Sequence, residues 1–121
     1  MEQIRQAIKI LNKLAISHNW YMIIGSADEF DQPRYLDQNI RFFSSLPLGY
    51  VTITILTPFP GTEIFNRLVS ENRIRHYHWE DYDITHCVYK PLNMSYREIE
   101  AYLPKAYFKV YLSKGWRLIP L

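Results

Sequence analysis

A β-branched run that stops at a proline constrains the fold of this chain more than any other stretch. Residues 50–62 read YVTITILTPFPGT, and the first half consists of residue types that suit a pleated, buried surface. Because this half lacks apolar/polar alternation, it predicts a strand covered on both faces, as in parallel α/β sheets. The two prolines remove backbone donors, so the strand cannot continue past Thr57, and Thr62 can cap a following helix.

The remaining N-terminal sequence alternates between helical and strand patterns. The predicted elements are a helix over Glu2–Ser17, a strand over Trp20–Ile24 that ends at Gly25, a helix that begins at Pro33 and is ended by Pro47 and Gly49, a strand over Tyr50–Leu56 and a helix over Glu63–Glu71. This order is typical of a parallel α/β sheet with right-handed crossovers. Two parallel strands leave two open edges, so we expect a dimer, a larger assembly or a poorly soluble chain.

The C-terminal third has a different, aromatic character. Residues 73–92 show little helical periodicity, and His86–Tyr89 predicts a short strand. Ser95 and Glu98 form a capping box for a helix that should continue to Ser113 and stop at Gly115. Pro104 lies inside this helix and should kink or divide it.

Composition limits the classes of partner and compartment. The chain has 121 residues, a net charge of +2 and one cysteine. The small charge gives no reason to expect nucleic acid or an anionic membrane as a partner, and one cysteine excludes an internal disulfide. No apolar run approaches about 18 residues. We expect a soluble cytoplasmic protein.

Histidines and Cys87 are the first candidates for chemistry. His76 and His78 would share one face of a strand and could bind a metal together with the His86 region, although the surface-histidine interpretation is favoured. Cys87 follows His86 directly, but neighbouring strand residues point to opposite faces, so a buried thiol is favoured over a nucleophile.

An acidic loop follows the first predicted strand. Asp28, Glu29 and Asp31 could bind a cation or a ribose hydroxyl, or could simply be solvated loop residues. The solvated interpretation is favoured, and both remain open at this point.

Three stretches together resemble the C-terminal part of radical S-adenosylmethionine enzymes of the cobalamin-binding-domain class. They are YMIIGSADE at 21–29, ILTPFPGTEIFNRL at 55–68 and HWEDYDITHCVYKPLNMSYREIE at 78–100. The third is similar to a W-x-x-Y-D-x-x-H-x-V-x-x-P-x-x-M pattern, matched here by Trp79, Tyr82, Asp83, His86, Val88, Pro91 and Met94.

The resemblance implies a fold, cofactors and binding residues. Such enzymes use a partial TIM-type barrel that holds S-adenosylmethionine and a 4Fe–4S cluster, with cobalamin in some members. By this resemblance Gly25, Leu56, Thr57 and Pro58 would line the adenosine. The family's CxxxCxxC motif is absent, and one cysteine cannot supply three thiolate ligands. We therefore expect no cofactor to be bound by this chain alone, no catalytic residue and no metal ligand.

The resulting hypothesis is a C-terminal barrel fragment of an α/β fold, inactive alone. Residues 1–72 would be the barrel fragment and 73–121 a post-barrel extension with the C-terminal helix. Its partner would be the missing N-terminal half of the barrel or a second copy. Two alternatives stay open: a small interaction module that homodimerises or docks on another chain, and a metal-dependent enzyme using His76, His78 and His86.

Overall fold

Helices and strands alternate through the first half of the chain, as predicted. The computed structural model describes residues 1–114. The elements are α1 (Glu2–Lys13), β1 (Asn19–Ile24), α2 (Pro33–Ser45), β2 (Tyr50–Ile55), α3 (Glu63–Ser70), a 3₁₀ turn (Trp79–Asp81) and α4 (Tyr96–Lys114). Over these residues the fold is α/β, with two strands and four α-helices.

Helix α1 is shorter than the predicted helix, which extended to Ser17. It ends at Lys13, and Ala15 adopts a positive φ of 54°. The backbone N–H of Ile16 then donates to the carbonyl of Leu11 at 3.0 Å, a closure typical of helix C-termini. The left-handed residue turns the chain toward β1.

The two strands are parallel neighbours, which confirms the predicted pairing. Asn19 lies opposite Tyr50, and Ile24 lies opposite Ile55. Both strands therefore end at the same edge of the sheet, where their connecting loops meet.

Only one face of this sheet is covered by residues 1–114. The buried strand residues are Met22, Ile24, Val51, Ile53 and Ile55. On the other face Tyr21, Ile23 and Tyr50 are 66%, 55% and 62% exposed. The prediction that the second strand is covered on both faces is wrong, because α4 and its neighbour α2 form one helical layer and strand side chains alternate between faces.

The outer edge of β2 is closed by two tyrosines of α4. The hydroxyl of Tyr111 accepts a hydrogen bond from the backbone N–H of Val51 at 3.1 Å and donates to its carbonyl at 2.6 Å. The hydroxyl of Tyr107 does the same at Ile53, at 3.0 and 3.1 Å. Side chains here replace the backbone of a third strand.

A loop completes this edge, whereas the opposite edge stays open. The backbone N–H of Ile55 donates to the carbonyl of Ile84 at 2.7 Å. Among residues 1–114, the outer edge of β1 has no strand partner. The sheet is therefore closed along β2 and open along β1.

Both predicted helix caps are present. Thr62 accepts from the backbone N–H of Phe65 at 3.2 Å. Ser95 and Glu98 form the reciprocal capping box, with bonds of 3.1 and 2.6 Å. Helix α4 is not divided at Pro104, because this residue lies on the exposed side of a helix held by packing on its other face. The predicted stop at Gly115 lies outside the described residues.

The segment between α3 and α4 is mostly irregular. The predicted strand over 86–89 is wrong: the only pairing of this segment within residues 1–114 is an isolated antiparallel bridge between Ile74 and Tyr89. Backbone hydrogen bonds at this bridge and hydrogen bonds from buried side chains hold this segment. One core cluster includes residues from both sides of the predicted boundary at 72/73, such as Ile24 and Val110. The division of the chain into residues 1–72 and 73–121 stays a prediction.

The described residues also bear on the predictions about membrane spans and about the fold class. None of the helices over residues 1–114 combines the length and apolar character that crossing a membrane requires. The α/β class with parallel strands is confirmed, but the predicted partial TIM-type barrel is not.

Candidate functional site

The loop between β1 and α2 is organised around a buried carboxylate. Asp31 is fully buried and accepts hydrogen bonds from the backbone N–H and hydroxyl of Ser26, at 2.6 and 3.0 Å. The backbone N–H of Ala27 donates to it at 3.0 Å, and the hydroxyl of Tyr89 at 2.8 Å. Four donors around one carboxylate fix the path of the chain at the carboxyl end of β1.

Gly25 lies directly against Tyr89. Its φ is +93°, and a Cβ atom added there would lie 2.3 Å from the Tyr89 hydroxyl oxygen. No side chain fits in this position. Burial, together with the charge of Asp31, raises the pKa of Tyr89, so its phenol stays protonated as a donor.

Arg73 attaches the same loop to the chain beyond α3. Its side chain is largely buried, and Nη1 donates to the carbonyl of Ala27 at 2.9 Å and to Glu71 at 2.8 Å. Nε donates to the carbonyl of Lys90 at 3.0 Å. Nη2 is buried and has no hydrogen-bond partner among residues 1–114.

The four predicted adenosine-lining residues lie close together but differ in access. The backbone N–H of Leu56 donates to the carbonyl of Ile24 at 2.8 Å, and a Cβ on Gly25 would be 3.6 Å from the Leu56 Cβ. Both residues are partly exposed. Thr57 is 9% exposed, its hydroxyl donates to the Ile55 carbonyl at 3.2 Å, and Pro58 is fully buried. Thr57 and Pro58 therefore shape the turn from inside.

The acidic residues of the loop have separate roles. The favoured interpretation of Asp31 as a solvated residue is wrong, because it is completely buried. Asp28 is partly exposed and accepts from the Phe30 N–H at 2.9 Å, and it shares the single hydroxyl proton of Ser26 with Asp31. Glu29 has an exposed side chain. Asp28 and Glu29 are the carboxylates that a ligand could reach.

The histidine and cysteine candidates do not form one centre. His76 and His78 come together with Asp81, whereas His86 pairs with Asp83 at 2.9 Å. The hydrogen bond that His86 donates to Asp83 raises the pKa of His86. Cys87 is fully buried, so the prediction of a buried thiol is confirmed, and burial raises the pKa of this thiol to about 12.

Sequence reasoning missed Tyr89 and Arg73. Both lie in the aromatic, irregular segment, where periodicity carries little information. Tyr89 donates to a residue 58 positions away, and Arg73 donates to one 46 positions away. No local pattern indicates either contact.

Comparison with known proteins adds two relatives. The chain is 29% identical over 111 residues to "Uncharacterized methyltransferase PH0819" of Pyrococcus horikoshii, covering 92% of this chain and 24% of that protein. It is 28% identical over 91 residues to "Bacteriochlorophyllide d C-12(1)-methyltransferase" of Chlorobaculum tepidum, covering 75% and 19%. Both relatives are named methyltransferases. No family model matches the chain, which spans about a quarter or less of the length of these relatives.

These names correct the functional prediction made from sequence. A fragment of a radical S-adenosylmethionine enzyme of the cobalamin-binding class was predicted, and this prediction is wrong: the relatives carry the name methyltransferase, and neither name refers to radical chemistry, an iron–sulfur cluster or cobalamin. The two alternatives, an interaction module and a three-histidine metalloenzyme, gain no support from the relatives.

Proposed function

We propose that this chain is one portion of an S-adenosylmethionine-dependent methyltransferase and contributes part of the cofactor-binding surface. The observation that carries the proposal is the similarity over 92% of the chain to a protein named a methyltransferase. The surface lies at the carboxyl ends of β1 and β2, where α/β proteins with parallel strands bind ligands.

The exposed groups at this end suit the adenosine part of the cofactor. Leu56 offers a partly exposed apolar side chain beside Gly25. Asp28 and Glu29 offer carboxylate oxygens, which accept hydrogen bonds from ribose hydroxyls in other nucleotide sites. When bound, S-adenosylmethionine supplies an activated methyl group.

In this proposal the buried residues hold the two loops in place and do not themselves contact the cofactor. Asp31, Tyr89 and Arg73 hold the loop after β1, and Thr57 with Pro58 holds the turn after β2. In this proposal Gly25 and Leu56 line the adenosine, while Thr57 and Pro58 keep Leu56 in place.

The open edge supports a further part of the proposal, that β1 continues into a larger parallel sheet. The chain matches only 24% and 19% of its relatives, so these proteins contain much additional polypeptide. We propose that a strand from the remaining part of the methyltransferase pairs with β1 and covers Tyr21 and Ile23. Helices on one face and apolar side chains on the other are also what a partial TIM-type barrel would present. One free, buried cysteine agrees with a cytoplasmic location.

A segment replacement tests the cofactor surface. The matched segment of the Pyrococcus horikoshii protein is replaced by this chain, and binding of S-adenosylmethionine is measured by calorimetry after circular dichroism has verified folding. We expect the hybrid to bind, and Leu56→Asp to weaken binding at least about tenfold, because it puts a charge against the adenosine.

Ile10→Asp is the matched control. Ile10 is 57% exposed on α1, which leads into the opposite end of the sheet, so this variant should bind like the parent hybrid. A folded hybrid that does not bind, or one in which both variants bind equally well, would overturn the proposal.

A further inference from the structure

A second cluster of side chains lies outside the surface just described. His76 and His78 are two residues apart, and their rings stack with centroids 4.7 Å apart and planes 30° from parallel. Asp81 is the last residue of the 3₁₀ turn that His78 precedes, and its N–H donates to the His78 carbonyl at 3.0 Å. In a 3₁₀ turn residues i and i+3 share a face, so Asp81 lies on the side of His78.

The ligand atoms of these residues are close to the spacing that one metal ion requires. One nitrogen or oxygen from each side chain lies within 4.8 Å of the others, and His76 Nε2 lies 3.6 Å from Asp81 Oδ2. Ligands about 2.0–2.2 Å from a tetrahedral zinc ion are roughly 3.3 Å apart. The His76–Asp81 pair must close by about 0.3 Å, and the whole set by roughly 1.5 Å, to reach that geometry.

Few existing contacts have to break for the three ligand atoms to move closer together. The imidazole of His76 accepts one hydrogen bond, from the backbone N–H of His78, and at 3.3 Å it is long. The contact with Asp81 is longer than a hydrogen bond. The backbone is held in place, because the hydroxyl of the buried Tyr82 donates to the His76 carbonyl at 2.9 Å. The site is therefore partly organised before any ion arrives.

We propose that His76, His78 and Asp81 form a binding site for a divalent metal ion of the zinc type. Two imidazoles and one carboxylate are a donor set that zinc accepts. His78 is exposed and His76 and Asp81 are partly exposed, which leaves room for water at the remaining position. The ion would join the chain before the 3₁₀ turn to the turn itself. Sequence reasoning favoured surface histidines here, because no further ligand spacing matched a metal signature. The 3₁₀ turn brings Asp81 to the two histidines. The site is independent of the proposed methyltransferase function.

Zinc titration of the purified chain tests this site. The protein is treated with chelator, dialysed into a non-coordinating buffer and titrated with Zn²⁺ by calorimetry. We expect one ion per chain, with binding weakened at least about tenfold by His76→Ala, by His78→Ala and by Asp81→Asn, since each removes a ligand.

His86→Ala is the matched control, because His86 is exposed in the same segment but pairs with Asp83. It should bind zinc like the parent. Histidine NMR signals identify the ligands directly, and Zn²⁺ should shift the imidazole resonances of His76 and His78 before those of His86. Equal loss in the His86 variant, or binding that survives His76→Ala with His78→Ala, would overturn the proposal.

Discussion

Along the outer edge of β2, tyrosine hydroxyls form hydrogen bonds with the backbone of Val51 and Ile53. The outer edge of β1 has no such partner among residues 1–114. Both tyrosines can reach β2 because the spacing of residues along the helix matches the spacing along the strand. Tyr107 and Tyr111 are four residues apart, a rise of roughly 6 Å along a helix. Two residues of a strand span roughly 6.6 Å, so one helix face can serve alternate strand residues.

This chain completes one side of its sheet by itself. The covering helix also belongs to the core, because Ala106 and Val110 of α4 are fully buried. On the other side Tyr21 and Ile23 lie exposed beside an edge that no strand of residues 1–114 pairs with. Exposed apolar residues at an open edge are typical of a surface that meets another polypeptide.

We expect the largest loss of stability from substitutions at the closed edge of the sheet, along β2. The double substitution Tyr107→Phe with Tyr111→Phe removes the partners of Val51 and Ile53 while keeping both rings. We expect the free energy of unfolding to fall by about 2–4 kcal/mol, since partly buried backbone groups lose their hydrogen bonds. Urea unfolding followed by circular dichroism measures it.

Tyr50→Phe is the control for that experiment. Tyr50 is 62% exposed, so its substitution should change the free energy of unfolding by no more than about 0.5 kcal/mol. If the double variant is as stable as this control, α4 closes the edge by packing alone.

A smaller effect is expected where β1 ends. Tyr89→Phe removes one of the donors to the buried carboxylate of Asp31. We expect a loss of about 1–2 kcal/mol in the free energy of unfolding. Tyr21→Phe, on the exposed face of β1, is the comparison and should be nearly neutral. Equal thermal unfolding curves for the two variants would show that the Tyr89–Asp31 bond does not stabilise the loop.

Beside Ile84, whose carbonyl completes the closed edge, we expect a pH-dependent contribution of less than about 0.5 kcal/mol to the free energy of unfolding. His86 and Asp83 flank it, and both are largely exposed. The hydrogen bond to Asp83 raises the pKa of His86. Burial alone would raise the pKa of Asp83, but bonds from His86 and Thr85 outweigh it and lower that pKa.

The signs of these two shifts define the pH window. A raised histidine pKa stabilises the fold below the ordinary value of 6.5, and this contribution is lost as pH rises through the folded-state pKa. The lowered carboxyl pKa keeps Asp83 charged until the solution is strongly acidic. The stability difference between the parent and His86→Ala should thus be larger at about pH 6 than at about pH 8.5, as measured by thermal unfolding. A difference that grows with pH would contradict the assignment.

The smallest effect on stability is expected at the open edge. Ile23→Lys adds a charge to a side chain that is 55% exposed, so the free energy of unfolding should change by no more than about 0.5 kcal/mol. Self-association should decrease, because lysine on an edge strand opposes pairing. Light scattering at micromolar concentration measures it against Ile10→Lys. A parent chain that is already a stable monomer, with no dye-binding apolar surface, would mean that the β1 edge needs no partner.

Local features of the fold could be read from the sequence. The order of the elements follows from hydrophobic periodicity, and the caps at Thr62 and Ser95 are hydrogen bonds within three residues. The carboxyl-end position of Gly25 and Leu56 follows from parallel pairing. These inferences succeeded because each depends on neighbours in the chain or on one simple rule of topology.

Only the tertiary structure decided how these elements are closed and held. The hydrogen bonds of the α4 tyrosines to β2 and of Tyr89 to the carboxylate of Asp31 join residues 54 to 60 positions apart. The local sequence favoured Asp31 as a solvated loop residue, whereas the structure buries it completely. By itself the sequence determined the alternation of helices and strands, because periodicity and capping act over a few residues. The role of each polar side chain was decided by which distant group the fold brings to it.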